Sequence, residues 1–249
     1  MSTPQIVFRR KAVEPTRCIS EAWDMVKDQY WLFVGMCAVG LLIGGAVPLG
    51  ILTGPMMCGL YMSFFAKRRR QPFEFGTLFK GFDYFGPSLV ATLLHMVPIL
   101  IIVVPAYLFF YISMIVSMSV AAQSGDNAAP AAFLGVFGMF ILMWIAIVVV
   151  IIFISIGFSF TYPLIVDRKL SGIDAVKWSF KGAMANFWRL LGMSLLTGLL
   201  GLCGFVLCYV GIFLVFPIIY GSIAIAYEKV FGLSEDDVAV NLPPPPPSF

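Results

Sequence analysis

The sequence has almost no histidine and long stretches without any charged residue. His95 is the only histidine among 249 residues. Charged residues make up 12% of the chain, against roughly 25% in soluble domains. Common catalytic motifs are missing too, because the chain has no HExxH, no GxSxG and no P-loop. The inventory therefore argues against an enzyme and offers no catalytic residue, cofactor site or metal site.

Cysteine is scarce and does not follow a ligand or disulfide pattern. The five cysteines are an odd number, lie mostly in apolar runs and form no CxxC pair with neighbouring histidines. We interpret them as small packing residues rather than metal ligands or redox groups. They are Cys18, Cys37, Cys58, Cys203 and Cys208.

The charged residues that are present cluster strongly. All sixteen Lys and Arg residues fall in four short islands, and four almost charge-free gaps of about forty residues separate or flank them. A membrane-spanning helix needs roughly 20 apolar residues. The pattern therefore predicts an all-α integral membrane protein. The gaps are residues 29–66, 84–125, 127–166 and 190–227.

Turn residues predict how often each gap crosses the membrane. The first gap contains a Pro-Leu-Gly turn at 48–50, and the last contains Gly204 and Gly211, so each can form a hairpin of two short spans. Residues 143–156 of the third gap contain no Gly, Pro or Asn, which predicts a single helix. The second gap is ambiguous by itself, because Pro98 and Pro105 allow either a kink or a turn.

The positive-inside rule resolves the second gap. A hairpin there would put the basic island at 168–189 on the wrong side of the membrane. We therefore predict six spans, both termini in the cytoplasm and the linker 121–130 outside. A central span of about 34 residues is about 50 Å long, against a hydrocarbon core of about 30 Å, so we expect kinks and a modest projection. The predicted spans are 31–48, 50–66, 87–120, 131–166, 190–208 and 211–227.

Three segments beside the spans have the periodicity of helices that lie on the membrane. Apolar residues recur at intervals of three and four in 19–30, 73–85 and 171–187, with charged residues on other faces. Ser171 is positioned to cap the third helix, with Asp174 in its first turn. We predict amphipathic interfacial helices on the cytoplasmic side.

Small residues and a weak internal match complete the helical pattern. Glycines at helical spacing predict close packing of helices within the chain or between subunits, as at Gly40 and Gly44, Gly50 and Gly54, and Gly198, Gly201 and Gly204.

Units 18–67 and 171–230 suggest a parallel repeat of one helix plus a hairpin. Convergence of two hairpins on Trp anchors and Gly packing sites is the alternative. Trp31, Gly35, Met36, Pro55, Gly59 and Lys67 align with Trp188, Gly192, Met193, Pro217, Gly221 and Lys229.

Residues 160–196, FTYPLIVDRKLSGIDAVKWSFKGAMANFWRLLGMSLL, combine three short motifs. An aromatic/Pro–apolar–acid run is followed by Ala-x-x-x-Ser and then by aromatic-Trp-Arg. The segment resembles poorly characterised bacterial multi-pass membrane proteins, which are similar to the membrane domain fused to some glycerophosphodiester phosphodiesterases. The likeness, looser over about 20–232, implies a six-helix domain of the bacterial cytoplasmic membrane. It implies no catalytic role, because the phosphodiesterase chemistry resides in a separate soluble barrel for which this chain has no room.

Four residues form the hypothesis of a cavity or hinge. His95 lies one turn before Pro98, and it either bonds a carbonyl that Pro98 frees or takes part in proton transfer or ligand binding. Pro55 and Pro217, at matching positions of the two repeat units, either break their helices around a substrate, as in transporters, or serve packing.

The remaining signals lie at the periphery. The basic run Lys67, Arg68, Arg69 and Arg70 directly follows a span, which predicts contacts with anionic lipid headgroups and not with nucleic acid. The predicted organisation is a basic arm (1–17), one six-helix membrane domain (18–232) and a disordered acidic and Pro-rich tail (233–249). The tail is either solvated or a docking peptide for a protein partner.

The sequence leaves the function open between two classes. The first hypothesis is a non-catalytic membrane-organising or accessory protein that contacts lipids and a partner protein. The alternative is a transporter or lipid-handling protein with a cavity between the two hairpin units. The sequence predicts no cofactor and leaves the oligomeric state open.

Overall fold

The computed structural model describes residues 8–124, 128–206 and 210–233. Within these ranges the chain is almost entirely helical and has no strand, which confirms the predicted all-α class. The predictions for the first seven residues of the basic arm, for residues 125–127 of the linker, for Cys208 and for the tail from Ser234 onward fall outside the described residues. The α-helices are α1 (Pro15–Val26), α2 (Tyr30–Ala46), α3 (Thr53–Arg68), α4 (Phe85–Ser124), α5 (Ala128–Phe158), α6 (Thr161–Arg168), α7 (Gly172–Ala185), α8 (Phe187–Val206) and α9 (Val210–Phe231).

Five helical stretches of the described chain are long and apolar enough to cross a membrane, in agreement with a multi-pass protein. Helix α3 is not among them, because its 16 residues extend only about 24 Å, less than a hydrocarbon core of roughly 30 Å. Helix length and composition therefore identify five candidate spans and do not confirm the predicted sixth. The five stretches are Pro15–Ala46, Phe75–Val120, Phe133–Arg168, Phe187–Val206 and Gly211–Phe231.

The two central gaps differ in how well they were predicted. Helix α4 continues through Pro98 and Pro105, as expected for a single span. The predicted span 131–166 agrees with the apolar stretch Phe133–Arg168, but the helix is interrupted inside it, because α5 stops at Phe158 and α6 begins only at Thr161. The hydroxyl of Ser179 on α7 donates to the carbonyl of Gly157 (2.6 Å) and accepts from the amide of Phe160 (3.1 Å). These bonds satisfy backbone groups that the break releases.

All three segments predicted as interfacial helices are helical, but one has a different form. Helix α1 and the 3-10 helix Lys27–Gln29 cover the first. The second is the 3-10 helix Phe75–Tyr84 rather than an α-helix. Helix α7 is the third, and its predicted cap is confirmed because the Ser171 hydroxyl oxygen accepts from the amide of Asp174 at 3.2 Å.

The chain divides into two compact units, of which the first combines Met1–Thr92 with Ile156–Phe249. Its core is largely aromatic. Phe33 of α2 stacks on Phe64 of α3 with ring centroids 5.0 Å apart, and Tyr227 of α9 packs against Phe65 at 5.5 Å. Burial of these rings supplies much of the packing between α2, α3 and α9.

Glycines let backbones touch at two crossings in the first unit. Gly59 of α3 and Gly81 of the 3-10 helix Phe75–Tyr84 lie so close that a Cβ on Gly59 would collide with the carbonyl of Leu78. In the α8–α9 hairpin, a Cβ on Gly204 would lie 2.8 Å from the carbonyl oxygen of Gly211. Gly198, which was predicted as a packing position, faces open space.

The second unit, Leu93–Ser155, consists of parts of α4 and α5. Aromatic residues join the two helices. Phe110 packs on Phe140 with centroids 3.9 Å apart, and Tyr107 meets Trp144 edge to face at 5.7 Å. Most other large side chains of this unit are exposed and apolar, as expected for helices surrounded by lipid.

Candidate functional site

Charged residues from distant parts of the first unit meet at one end of it, which we call the charged end. The amide of Arg9 donates to the carbonyl of Val230 in the last turn of α9 (2.8 Å). The C-terminal ends of α3 and α6 also lie at the charged end, where the ion pairs described below hold them together. The charged end comprises residues 9–30, 67–70, 167–168, 186–189 and 228–229.

The N-terminal segment is held to the charged end by two polar side chains. The side-chain oxygen of the buried Asn186, which lies between α7 and α8, accepts from the amide of Ala12 (3.0 Å), and its NH2 donates to the carbonyl of Arg9 (3.1 Å). The guanidinium of Arg189 donates to the carbonyls of Lys11 (2.6 Å) and Val13 (3.1 Å). Part of the predicted basic arm is therefore packed against the membrane domain.

A buried carboxylate forms the centre of the charged end. The side chain of Asp167, at the end of α6, is fully buried. It accepts from Arg69 of the α3 end (2.6 Å) and from the hydroxyl of Tyr227 of α9 (2.7 Å), and it lies 3.3 Å from the guanidinium of Arg168. Because its partners come from three different segments, this cluster joins α3, α6 and α9.

Further ion pairs surround that buried cluster and are more exposed. Arg68 forms a bidentate pair with Glu228 at 2.7 and 2.8 Å, and these hydrogen bonds raise the pKa of Arg68. Lys229 of α9 donates to Glu21 of α1 at 2.9 Å. Exposed pairs of this kind each contribute little to stability, but together they fix the position of α1 against α3 and α9.

An open groove of about 350 Å³ lies on the charged end. Its lining combines the acidic residues Glu21 and Asp24 of α1 with basic residues that end α3 or follow it. Met25 is the apolar residue of the lining. The lining residues are Glu21, Asp24, Met25, Lys67, Arg68 and Arg70.

The predicted basic run does not act as one group. Lys67, Arg68 and Arg70 line the groove, whereas Arg69 turns inward to Asp167. Lys67 lies 3.8 Å from Asp28, and Arg68 is paired with Glu228. Contact with lipid headgroups stays a prediction for this run. Sequence periodicity gave no way to separate Arg69 from its neighbours.

The four residues of the cavity hypothesis are divided between the two units. His95 and Pro98 are half-buried in the part of α4 that belongs to the second unit. Pro55 is the third residue of α3, where a proline does not break a helix, and α9 continues through Pro217. None of the four lines the groove or the apolar cavity of about 10 Å³ beside Phe109 and Phe140 in the second unit.

Several residues of the charged end escaped the sequence analysis. In the sequence, Asp167 is only an acidic residue at the edge of a basic island, and neither Asn186 nor Glu228 belongs to a recognisable motif. The one available signal for Asp167 was its place directly after the apolar run TYPLIV. Among the described residues no group of three or more His, Cys, Asp or Glu side chains could hold a metal ion.

Comparison with known proteins gives a family but no characterised relative. A family profile described as "Protein of unknown function (DUF975)" matches residues 19–232. No curated protein and no solved structure matches the chain. The matched region extends from within α1 to the residue after α9.

Proposed function

The chain belongs to the DUF975 family, whose function is unknown, and we propose that it is a membrane-organising or accessory protein rather than an enzyme. In this proposal it lies in the bacterial cytoplasmic membrane with its charged end in the cytoplasm. There the charged end contacts lipid headgroups, and a protein partner binds the helix surface or the Pro-rich tail. The resemblance to membrane domains of phosphodiesterase fusions stays a prediction and supports only the membrane setting.

The observation that carries this proposal is the cross-linked charged end. Asp167 joins three helices, and Arg68–Glu228 and Lys229–Glu21 attach α1 to the same frame. Such a frame presents a fixed arrangement of charges at the membrane surface. A fixed polar surface is what a membrane protein needs to recruit or position another molecule.

The orientation follows from the distribution of basic residues. The charged end contains residues of all four basic islands. Arg9, Arg68 and Arg168 belong to the first three islands, and Lys229 is the only residue of the fourth. Basic residues beside membrane spans mark the cytoplasmic side. We therefore propose that both described chain ends face the cytoplasm.

This orientation also bears on the number of spans. The chain leaves the charged end with α2 and returns to it at Arg68, the last residue of α3. It leaves again with α8 and returns at Glu228 of α9. Return to one side requires an even number of complete crossings. We propose six, with the short helix α3 completing the second crossing, and the matching order of α1–α3 and α7–α9 supports the proposed parallel repeat.

The alternative function is lipid handling or transport, and the groove on the charged end is the observation that favours it. A groove with charges of both signs beside a membrane span can receive a lipid headgroup. All of its lining residues lie in or next to the first repeat unit, so it differs from the cavity that the sequence suggested between the two units.

A two-part experiment separates these functions. The full chain and a version truncated after residue 233 are purified in mild detergent from the membranes of the source organism, and the amount of any bound protein is measured per chain. In parallel, the full chain is reconstituted in vesicles and solute and lipid movement is measured. We expect a stoichiometric partner and no protein-dependent movement. Saturable movement of a solute or lipid by the purified chain alone would refute the accessory role.

A further inference from the structure

The groove on the charged end is lined by acidic residues of one segment and basic residues of another, which we call its acidic side and its basic side. Helix α1 supplies Glu21 and Asp24, which lie one turn apart. The basic residues are Lys67 and Arg68 at the end of α3 and Arg70 directly after it. Met25 is almost completely buried. The groove volume of about 350 Å³ equals roughly a dozen water molecules at about 30 Å³ each, which is enough for a small polar headgroup.

The basic side keeps hydrogen-bond donors that the protein itself does not use. Arg70 is exposed and forms no ion pair with any residue in the described part of the chain. Lys67 has only a distant partner in Asp28 (3.8 Å) and a weak bond to Gln29 (3.4 Å). Arg68 binds Glu228 through Nε and Nη2, which leaves Nη1. Guanidinium and ammonium donors so arranged suit a phosphate group.

The acidic side likewise keeps acceptors. Glu21 uses Oε1 for both Arg17 and Lys229, so its Oε2 can accept a further bond. Asp24 accepts from Lys27 only through Oδ1. An ionised carboxylate offers about four acceptor positions, so both residues can bind an ammonium group without losing their present partners.

In the proposed orientation, the groove lies at the depth of the lipid headgroups. Its basic residues come at the end of the apolar helix α3, and α1 is amphipathic. Trp31, the second residue of α2, is 75% exposed, and tryptophan prefers the membrane interface. A headgroup of the surrounding leaflet therefore reaches the groove more readily than a soluble ligand at low concentration.

We propose that this groove binds the phosphoethanolamine headgroup of a phospholipid, with the phosphate at Lys67 and Arg70 and the primary ammonium at Glu21 and Asp24. A primary ammonium has three N–H donors for the carboxylates. A choline headgroup has none and is usually held by aromatic faces, which the lining of this groove does not provide. An anionic headgroup without an amine would leave the acidic side unused. The inference rests on the proposed cytoplasmic orientation of the charged end.

The test is a lipid titration of the purified full chain in detergent, followed by native mass spectrometry. Phosphatidylethanolamine, phosphatidylcholine and phosphatidylglycerol with identical acyl chains are compared. We expect phosphatidylethanolamine to bind most tightly. Arg70→Ala should weaken its binding about tenfold, the loss of one hydrogen bond to a charged group, and should weaken phosphatidylglycerol binding as well. Asp24→Asn should weaken only phosphatidylethanolamine binding.

Two neighbouring residues provide matched controls. Lys80→Ala and Asp83→Asn change exposed charges on the 3-10 helix Phe75–Tyr84, outside the lining of the groove, and should leave the lipid preference unchanged. All four altered side chains are exposed, so the melting temperature should stay constant and show that each variant is folded.

The possible results separate the sources of the ligand. Equal binding of phosphatidylcholine, or preference for phosphatidylglycerol with no effect of Asp24→Asn, would overturn the proposal. Displacement of the lipid by free phosphoethanolamine at equimolar concentration would show that the groove serves a soluble ligand instead. These results do not depend on whether a partner protein is found in the source membrane. Failure of the lipid proposal can therefore be distinguished from failure of the proposed accessory function.

Discussion

At the residue scale, Asp167 shows how a position of ordinary appearance in the sequence can be the centre of a structure. It stands beside Arg168 and Lys169 in a basic island, where a solvated surface charge is the usual expectation. In the fold its carboxylate is fully buried and meets Arg69, which lies 98 residues earlier in the chain. Local periodicity carries no information about a partner at that distance. The same limit applies to Asn186 and the N-terminal segment.

Asp167→Asn is expected to destabilise the protein by about 3 kcal/mol, because it leaves the guanidinium of Arg69 in a largely buried place without its counter-charge. The measurement is thermal or denaturant unfolding in detergent. Asp24→Asn is the matched control, since its pair with Lys27 is exposed and contributes well under about 1 kcal/mol. Equal stability of the two variants would mean that Asp167 does not join the three helices.

At the element scale, long-range apolar patterns predicted the helices well, and their interruptions poorly. The absence of Gly and Pro from 143–156 correctly indicated one central helix, and the Ser-x-x-Asp pattern at Ser171 correctly marked the start of α7. The break between α5 and α6 was not predicted. A tertiary contact stabilises it, because Ser179 of α7 replaces the lost helical bonds of Gly157 and Phe160.

Ser179→Ala is expected to cost about 2 kcal/mol, because it leaves a buried carbonyl and a buried amide without their hydrogen-bond partner. Ser222→Ala is the matched control. Ser222 is equally buried, but its hydroxyl bonds only the carbonyl of Ile219 in its own helix, so its loss should cost well under about 1 kcal/mol. The test compares the unfolding midpoints of the two variants. A larger loss of stability in Ser222→Ala than in Ser179→Ala would contradict this account of the break.

At the scale of the whole molecule, clustering of basic residues predicted which segments meet, although it could not predict how. Residues from all four islands lie in the charged end. The individual ion pairs, the groove and the docking of residues 9–13 depend on packing that composition does not encode. The number of spans also stays open at the sequence level, since it depends on whether a 16-residue helix crosses the bilayer.

Single cysteines in a background without the native thiols test the topology directly, with a membrane-impermeant maleimide applied to either side of sealed vesicles. We expect Ser124→Cys, at the end of α4, to react from the outside and Ser171→Cys, before α7, from the cytoplasmic side. Ile51→Cys, in the turn between α2 and α3, should react from the outside if α3 completes a crossing. Reaction of Ser124→Cys and Ser171→Cys from the same side would overturn the six-span arrangement. If only Ile51→Cys were unreactive from the outside, α2 and α3 would form a re-entrant hairpin, and the protein would have four complete crossings with the charged end still in the cytoplasm.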